Sequence, residues 1–388
     1  MQRFIPVVAL AGAACTGVYL HSPSEDWYDG DVELQTAFGD ALANRAIEDP
    51  GRAGISTGSA FFDGEWDFGT CVMTMTALSQ IALDHPETLD RYLPAIESCA
   101  DWLVTPEATD FATARWGGQR GLDALDDPVA THAYLGYLGV ALGLYRLVDP
   151  DNPHAQRHDE LVAGLLGSMQ LPIAYVQTYP GEIYPCDMST MIAAVGIHEH
   201  ATGADHSVIL DDFTDRWLAA SRDPESGILY QALRMGTGTP IDAPRGSGTA
   251  LSAVMVSWAD PQLAKELYRP LADQGFVRRA GVAGILEYPG GHEGHGDVDS
   301  GPLVFGVGVS ATGFGIGAAR AAEDAPTYEA MTQTAWMFGL PYPTGTGRSF
   351  ATGGGLGNAI MLTMLTTPTG GYRACGEDDA VDDPGCLR

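Results

Sequence analysis

The run Tyr179-Pro-Gly-Glu-Ile-Tyr184-Pro-Cys186-Asp187 places two phenols, a thiol and two carboxyl groups directly before an apolar, helix-length segment. Such a set suits acid-base chemistry, because partial burial raises one carboxyl toward the working pH while a neighbour stays ionised. Asp187 is the expected general acid or base, with Cys186, Tyr137 and Tyr184 holding or protonating a leaving oxygen and Tyr179 contacting substrate. An Asp at this place is also a good helix N-cap, so both roles stand open. A second cluster, His292-Glu-Gly-His-Gly-Asp297-Val-Asp299, packs two imidazoles and three acids into one short stretch. Imidazole and carboxylate are ordinary ligands for zinc or another divalent cation, yet the helical HExxH spacing is missing and the glycines indicate a loop. No metal is expected here. Asp297 and Asp299 are read as cavity-facing acids and His292 as a substrate contact, with capping of a helix that begins near Pro302 as the alternative.

Further candidates lie far off in the chain. Asp63-Gly-Glu65-Trp66-Asp67 sets carboxylates beside an indole, and Trp116, His132, Tyr134, Tyr230 and Arg245 add aromatic, imidazole and guanidinium groups. An aromatic-lined cavity with a few polar groups accepts either a sugar ring or a terpenoid-like chain. His198, His200 and His206 come late in their segments and are read as structural or exposed.

Groups so dispersed share a site only if the fold gathers them. Six times a polar segment opens into a helix-length run rich in Ala, Gly and Met, beginning near Glu65, His132, Asp187, Arg245, Asp297 and Gly353, and a more amphipathic stretch follows each. That repetition predicts an all-α (α/α)6 toroid, in which six inner helices start around one cavity. The expected pairs are 33–49 with 67–83, 86–104 with 130–148, 154–171 with 187–202, 205–220 with 249–258, 261–274 with 301–322, and 326–339 with 355–366. A long loop holding Trp116 to Asp123 separates the second pair and is placed across one mouth. Residues 228–233 alternate like a short strand. The glycines of the last two inner helices cost up to about 1 kcal/mol each relative to Ala, which close packing or a ligand at the backbone would offset.

With 388 residues and 45% apolar content the chain can bury one large core, assigned to 30–370. Its 50 acidic residues against 20 basic ones give a net charge of −30, which argues against nucleic acid or an anionic membrane as partner. Residues 1–20 read as an export signal, with Cys15 as a lipid attachment point or with ordinary cleavage after Ala14. The expected location is therefore periplasmic, extracellular or lipid-anchored at the surface. Export permits disulfides: Cys71 with Cys99, and Cys375 with Cys386 closing an acidic tail over 371–388, leave Cys186 unpaired. Association into a homo-oligomer is left open. No serine-hydrolase elbow, Walker A loop or Rossmann fingerprint is present.

The order of segments resembles the linalool dehydratase-isomerase family over about residues 60–340. The resemblance is carried by Tyr134-Leu-Gly-Tyr137 with Gly143-Leu-Tyr-Arg-Leu147, by Asp223-Pro-Glu-Ser-Gly227 with Tyr230, by the Pro180 to Asp187 segment, and by Asp297-Val-Asp299-Ser-Gly301. Cys186 looks like the second of that family's two catalytic cysteines. Thr178 stands in the place of the first, Tyr137 in that of its histidine and Phe62 in that of an early tyrosine. The resemblance implies an exported, cofactor-independent toroid that dehydrates or isomerises an allylic or terpenoid alcohol. The alternatives are a glycoside hydrolase pairing Asp187 with Asp297, Asp299 or Glu65, and a surface protein that binds without turnover.

Overall fold

A computed structural model describes residues 22–51, 53–54, 56–129, 131–171, 176–279 and 281–372. The expected export signal, Cys15 and the Cys375–Cys386 pairing lie outside them. The helices in chain order are α1 (Ser24–Asp29), α2 (Val32–Glu48), α3 (Ala60–Asp84), α4 (Leu89–Leu103), α5 (Pro106–Arg115), α6 (Leu135–Val148), α7 (Ala155–Met169), α8 (Pro185–Thr202), α9 (Ser207–Ser221), α10 (Gly246–Val256), α11 (Pro261–Pro270), α12 (Val309–Ala321), α13 (Ala325–Gly339) and α14 (Gly354–Leu365).

Helices that are apolar on every side must be surrounded by others. Thr70 to Ala82 of α3 and Met188 to His198 of α8 are buried without interruption. These two, with α6, α10, α12 and α14, form the inner ring, in which α3, α6, α8, α10, α12 and α14 touch in succession and α14 returns to α3. The Thr363 hydroxyl donates to the Met73 carbonyl at 2.8 Å across that closure. Helices α2, α4, α7, α9, α11 and α13 make the outer ring. Asp side chains cap several of their starts: Asp31 accepts from the Leu34 amide, Asp260 from those of Gln262 and Leu263, and Asp324 from that of Thr327. The (α/α)6 toroid expected from the six repeats is the observed fold.

The inner glycines serve two ends. Gly139 and Gly143 of α6 face α8 so closely that an added Cβ would lie 2.7 Å from the Ala194 methyl and 2.6 Å from Ile197. Gly136 in the same row would collide with Thr190. Gly313 of α12 and Gly357 of α14 differ, since a Cβ on either would meet nothing within 4 Å, although Gly313 is buried. They look onto open space inside the ring.

Short antiparallel ladders, absent from the expected all-helical layout save for one arm, decorate the loops. They are β1 (Glu182–Ile183) with β2 (Leu233–Arg234), β3 (Phe276–Arg279) with β4 (Val282–Ile285), β5 (Leu303–Val304) with β6 (Val307–Gly308), and β7 (Pro341–Pro343) with β8 (Arg348–Phe350). The β5–β6 hairpin corrects the expected start of the fifth inner helix. Phe305 and Gly306 take left-handed φ of 53° and 83° and turn the chain, so the helix begins at Val309 and capping near Pro302 does not occur. The loop expected at 105–129 carries α5, which Thr105 caps and Pro106 opens. Cys71 and Cys99 join α3 to α4 as a disulfide with Cα atoms 5.3 Å apart, and Cys186 is a free thiol.

Candidate active site

Helix α8 begins with Pro185, and the N-cap position belongs to Tyr184, with no side chain capping the helix. Asp187 is therefore released from the capping role. Its carboxylate turns toward α6 and accepts from the Tyr137 phenol at 3.0 Å and from the Thr178 hydroxyl at 2.6 Å. The Cys186 thiol lies 3.9 Å from the same oxygen that Tyr137 binds. Burial pushes the Asp187 carboxyl up, the bonds from Thr178 and Tyr137 pull it part of the way back, and the charge of Asp299 raises it again, to about 6. Burial, then the Asp187 charge, keeps both Tyr137 and the Cys186 thiol protonated well beyond their usual ranges. Asp187, Cys186 and Tyr137 are enclosed by protein yet keep accessible surface.

Glu65 joins them from α3. It accepts from the Tyr179 phenol at 2.8 Å, and burial lifts its carboxyl to about 7 against the pull of that hydrogen bond, with the charges of Asp299 and Asp187 adding to the rise. Asp299 approaches from the loop before β5. It is open to solvent at the rim, but the surrounding protein raises its carboxyl, as does the charge of Asp297, while Arg245 opposes. Three carboxyl groups from α3, α8 and this loop thus lie within each other's field. Asp297 is tied differently. It takes the Arg245 guanidinium at 2.6 Å and the Ser300 amide at 2.9 Å. Burial would raise it, but these contacts outweigh burial and hold it below the usual range. A recess of about 590 Å³ runs along the same loop from Gly294 to Gly306.

Arg245 is a buried strut at the N-cap of α10, reaching Asp297, Asp242 at 3.3 Å and Glu287 at 3.8 Å. Sequence reading overlooked Glu287. It is wholly buried, takes the Ser247 hydroxyl at 2.6 Å, and burial lifts it to about 7 despite Ser247 and Arg245. The signal was available, since a lone acid two residues past the apolar strand Val282–Ile285, after Leu286, needs partners once buried. Overlooked too was Arg115, at the end of α5, and with it the pairing of Glu182, a carboxyl of the Tyr179–Asp187 run that lies in β1. The Arg115 guanidinium meets Glu182 at 2.9 Å and lies 4.0 Å from the Phe61 ring centre and 5.0 Å from that of Tyr179. The other Glu182 oxygen accepts from the Tyr184 phenol at 3.1 Å. Nothing in the spacing linked residue 115 to residue 182; only the cover that α5 forms brings them together.

The remaining candidates scatter. Trp116 stacks on His132 at 4.0 Å and an interplanar angle of 11°. His132 is fully buried with neither nitrogen bonded, and burial lowers it to about 4. Tyr134 packs against Phe68 and Phe111. These three build a wall beside Tyr179. Trp66 is half-buried on α3 and shares no hydrogen bond or ring contact with the carboxyl group set among the described residues. Tyr230 and His292 belong to another locus: the Tyr230 phenol donates to Asp223 at 2.7 Å, and the His292 imidazole lies 3.8 Å from it. Among the described residues no group of three or more His, Cys, Asp or Glu side chains has the geometry to hold a metal ion.

No protein-family model and no curated protein matches the chain in sequence. In structure it is similar to the unsaturated glucuronyl hydrolase of Bacillus sp. GL1, with 12% identity, a TM-score of 0.52 and coverage of 86% of this chain and 96% of that one. It is similar to the same degree, TM-score 0.52, to the α-1,6-mannanase GH76A of Salegentibacter sp. HEL1_6, with 14% identity over 88% of this chain and 98% of that one. An inactive variant of that mannanase, with two aspartates replaced by asparagine, is known in complex with α-1,6-mannotriose and matches at 13% identity. At such identities the likeness establishes the toroid. These neighbours overturn the resemblance to the linalool dehydratase-isomerase family. The site agrees with that correction, because Thr178 leaves no second thiol and Cys186 is held protonated beside Asp187.

Proposed function

We propose that the protein is a glycoside-cleaving enzyme whose reaction is run by Glu65 and Asp187. The observation that carries the reading is that the Glu65, Asp187 and Asp299 carboxyl groups lie within each other's field, with the Tyr179 and Tyr137 phenols bonded to the first two. Carboxyl pairs flanking an aromatic-lined space are what glycosidic cleavage requires. Two toroids of similar structure are named for work on saccharides, one in the degradation of glycosaminoglycan and one on α-1,6-mannan. In this reading Glu65 gives its proton to the glycosidic oxygen as that bond breaks. Asp187, held ionised by Tyr137 and Thr178, takes a proton from the water that attacks the anomeric carbon. Asp299 supplies negative charge at the rim beside the developing oxocarbenium ion. Export remains part of the proposal, and the Cys71–Cys99 disulfide supports it because such bonds persist in oxidising compartments.

The test incubates purified protein and its Asp187→Asn variant with a panel of neutral and acidic oligosaccharides, reading products by mass spectrometry. Sugar release by the wild type that the variant lacks is expected. Binding of sugars with no release from any of them would replace the enzyme by a carbohydrate-binding protein.

A further inference from the structure

The cations of this site are already spoken for. Arg245 is bound to Asp297 and Asp242, and Arg115 to Glu182. The Arg115 arrangement resembles an occupied receptor. A guanidinium laid over two aromatic faces, with its edge on a carboxylate, is the geometry by which proteins capture carboxylate ligands, and here the carboxylate comes from the chain itself. Glu182 is further oriented by the Tyr184 phenol. Both ion-pair partners stay about 40% exposed, at 39% and 40%, so a ligand arriving from solvent can reach them. They also stand close to the proposed chemistry: Tyr179, under Arg115, binds Glu65, and Tyr184 feels the charges of Asp187 and Asp299.

Resting on the glycoside reading, we infer that Glu182 is a specificity residue: by occupying Arg115 it makes uncharged sugars the substrate class and excludes uronic acids. A uronate entering here would face Glu182, Glu65, Asp187 and Asp299 with no unpaired guanidinium to receive it. Like charges set against one another in an interface are a standard means of rejecting the wrong partner. A neutral hexose brings hydroxyl groups only and loses nothing to the field.

The experiment uses 4-nitrophenyl glycosides of glucose, mannose and galactose in both anomers, each set against the matching glucuronide, mannuronide or galacturonide. Turnover is measured with the wild-type protein and with Glu182→Gln. Binding of the same compounds is measured by calorimetry in an Asp187→Asn background, with and without Glu182→Gln. The wild type is expected to favour the neutral member at least tenfold. Glu182→Gln should narrow that preference about tenfold, by a gain on the uronide that weakens with added salt, and Arg115→Met on top of it should abolish the gain. Equal handling of both members by the wild type, or an unchanged ratio in Glu182→Gln, overturns the inference. If nothing is turned over but the binding preference shifts as stated, the selectivity stands and the glycosidase reading fails. Binding of neither class sinks both.

Discussion

The two ends of α8 treat ionisable groups in opposite ways. At its start, burial lifts Asp187 to about 6 and leaves it partly accessible, with two hydroxyl donors. Toward its end, His198 shares Asp159 at 2.9 Å, His206 approaches His198 at 3.2 Å, and His158 sits fully buried with neither nitrogen bonded, lowered by burial to about 3. Desolvation dominates at both ends, favouring the neutral form in each. What separates them is access. A perturbed group marks a site of chemistry only when a reactant can reach it, and a packed imidazole is a structural element however far its pKa has moved.

Activity should break the comparison most sharply. Asp187→Asn is expected to lower kcat by about 10³-fold, within the range of a lost acid-base group, while His158→Gln changes kcat less than about twofold; steady-state assays on the first hydrolysed glycoside decide this. Next in size, kcat/KM should follow a bell in pH. It falls below about 6, where Asp187 takes up a proton, and above about 7, where Glu65 loses one. Glu65→Gln should cost about 10²-fold and abolish the alkaline limb, and a limb that persisted would assign it to another acid.

Stability should show the same opposition with the sign reversed. Asp187 has a folded pKa above its unfolded one, so its contribution is complete below about 4 and is lost as pH rises through about 6. His158 is depressed, so the unfolded chain binds the extra proton between about 3 and 6.5 and stability rises with pH across that window. Urea midpoints from pH 4 to 8 should therefore flatten in opposite directions in Asp187→Asn and His158→Gln. The smallest effect is expected from Cys186→Ser. The thiol stays protonated and touches Asp187 only weakly, so kcat should change less than about threefold on the scale of a weak hydrogen bond. Loss of all turnover would make the sulfur a nucleophile.

The ring was legible because its six apolar runs repeat, and periodicity survives any ignorance of sequence-distant contacts. Asp187, Tyr137 and Glu65 were also within reach, since each lies where an inner helix opens. Asp297 and Asp299 looked equivalent in sequence, and only the Arg245 contact distinguishes them. The β5–β6 hairpin was read as helix because its apolar residues continue those of α12, and the turn at Phe305-Gly306 carries no strong local signature. The pairing of Arg115 with Glu182 was invisible because it depends on where α5 settles over the ring, which no local pattern encodes.

Gly313 and Gly357 leave part of the inner wall unwritten. A Cβ added at either would meet nothing within 4 Å, whereas Gly136, Gly139 and Gly143 leave no room for one. The scaffold therefore separates positions that keep the barrel folded from positions free to vary in what the barrel encloses. A lineage, or a designer, could reshape the bore of this toroid one residue at a time while the ring that supports it stayed unchanged.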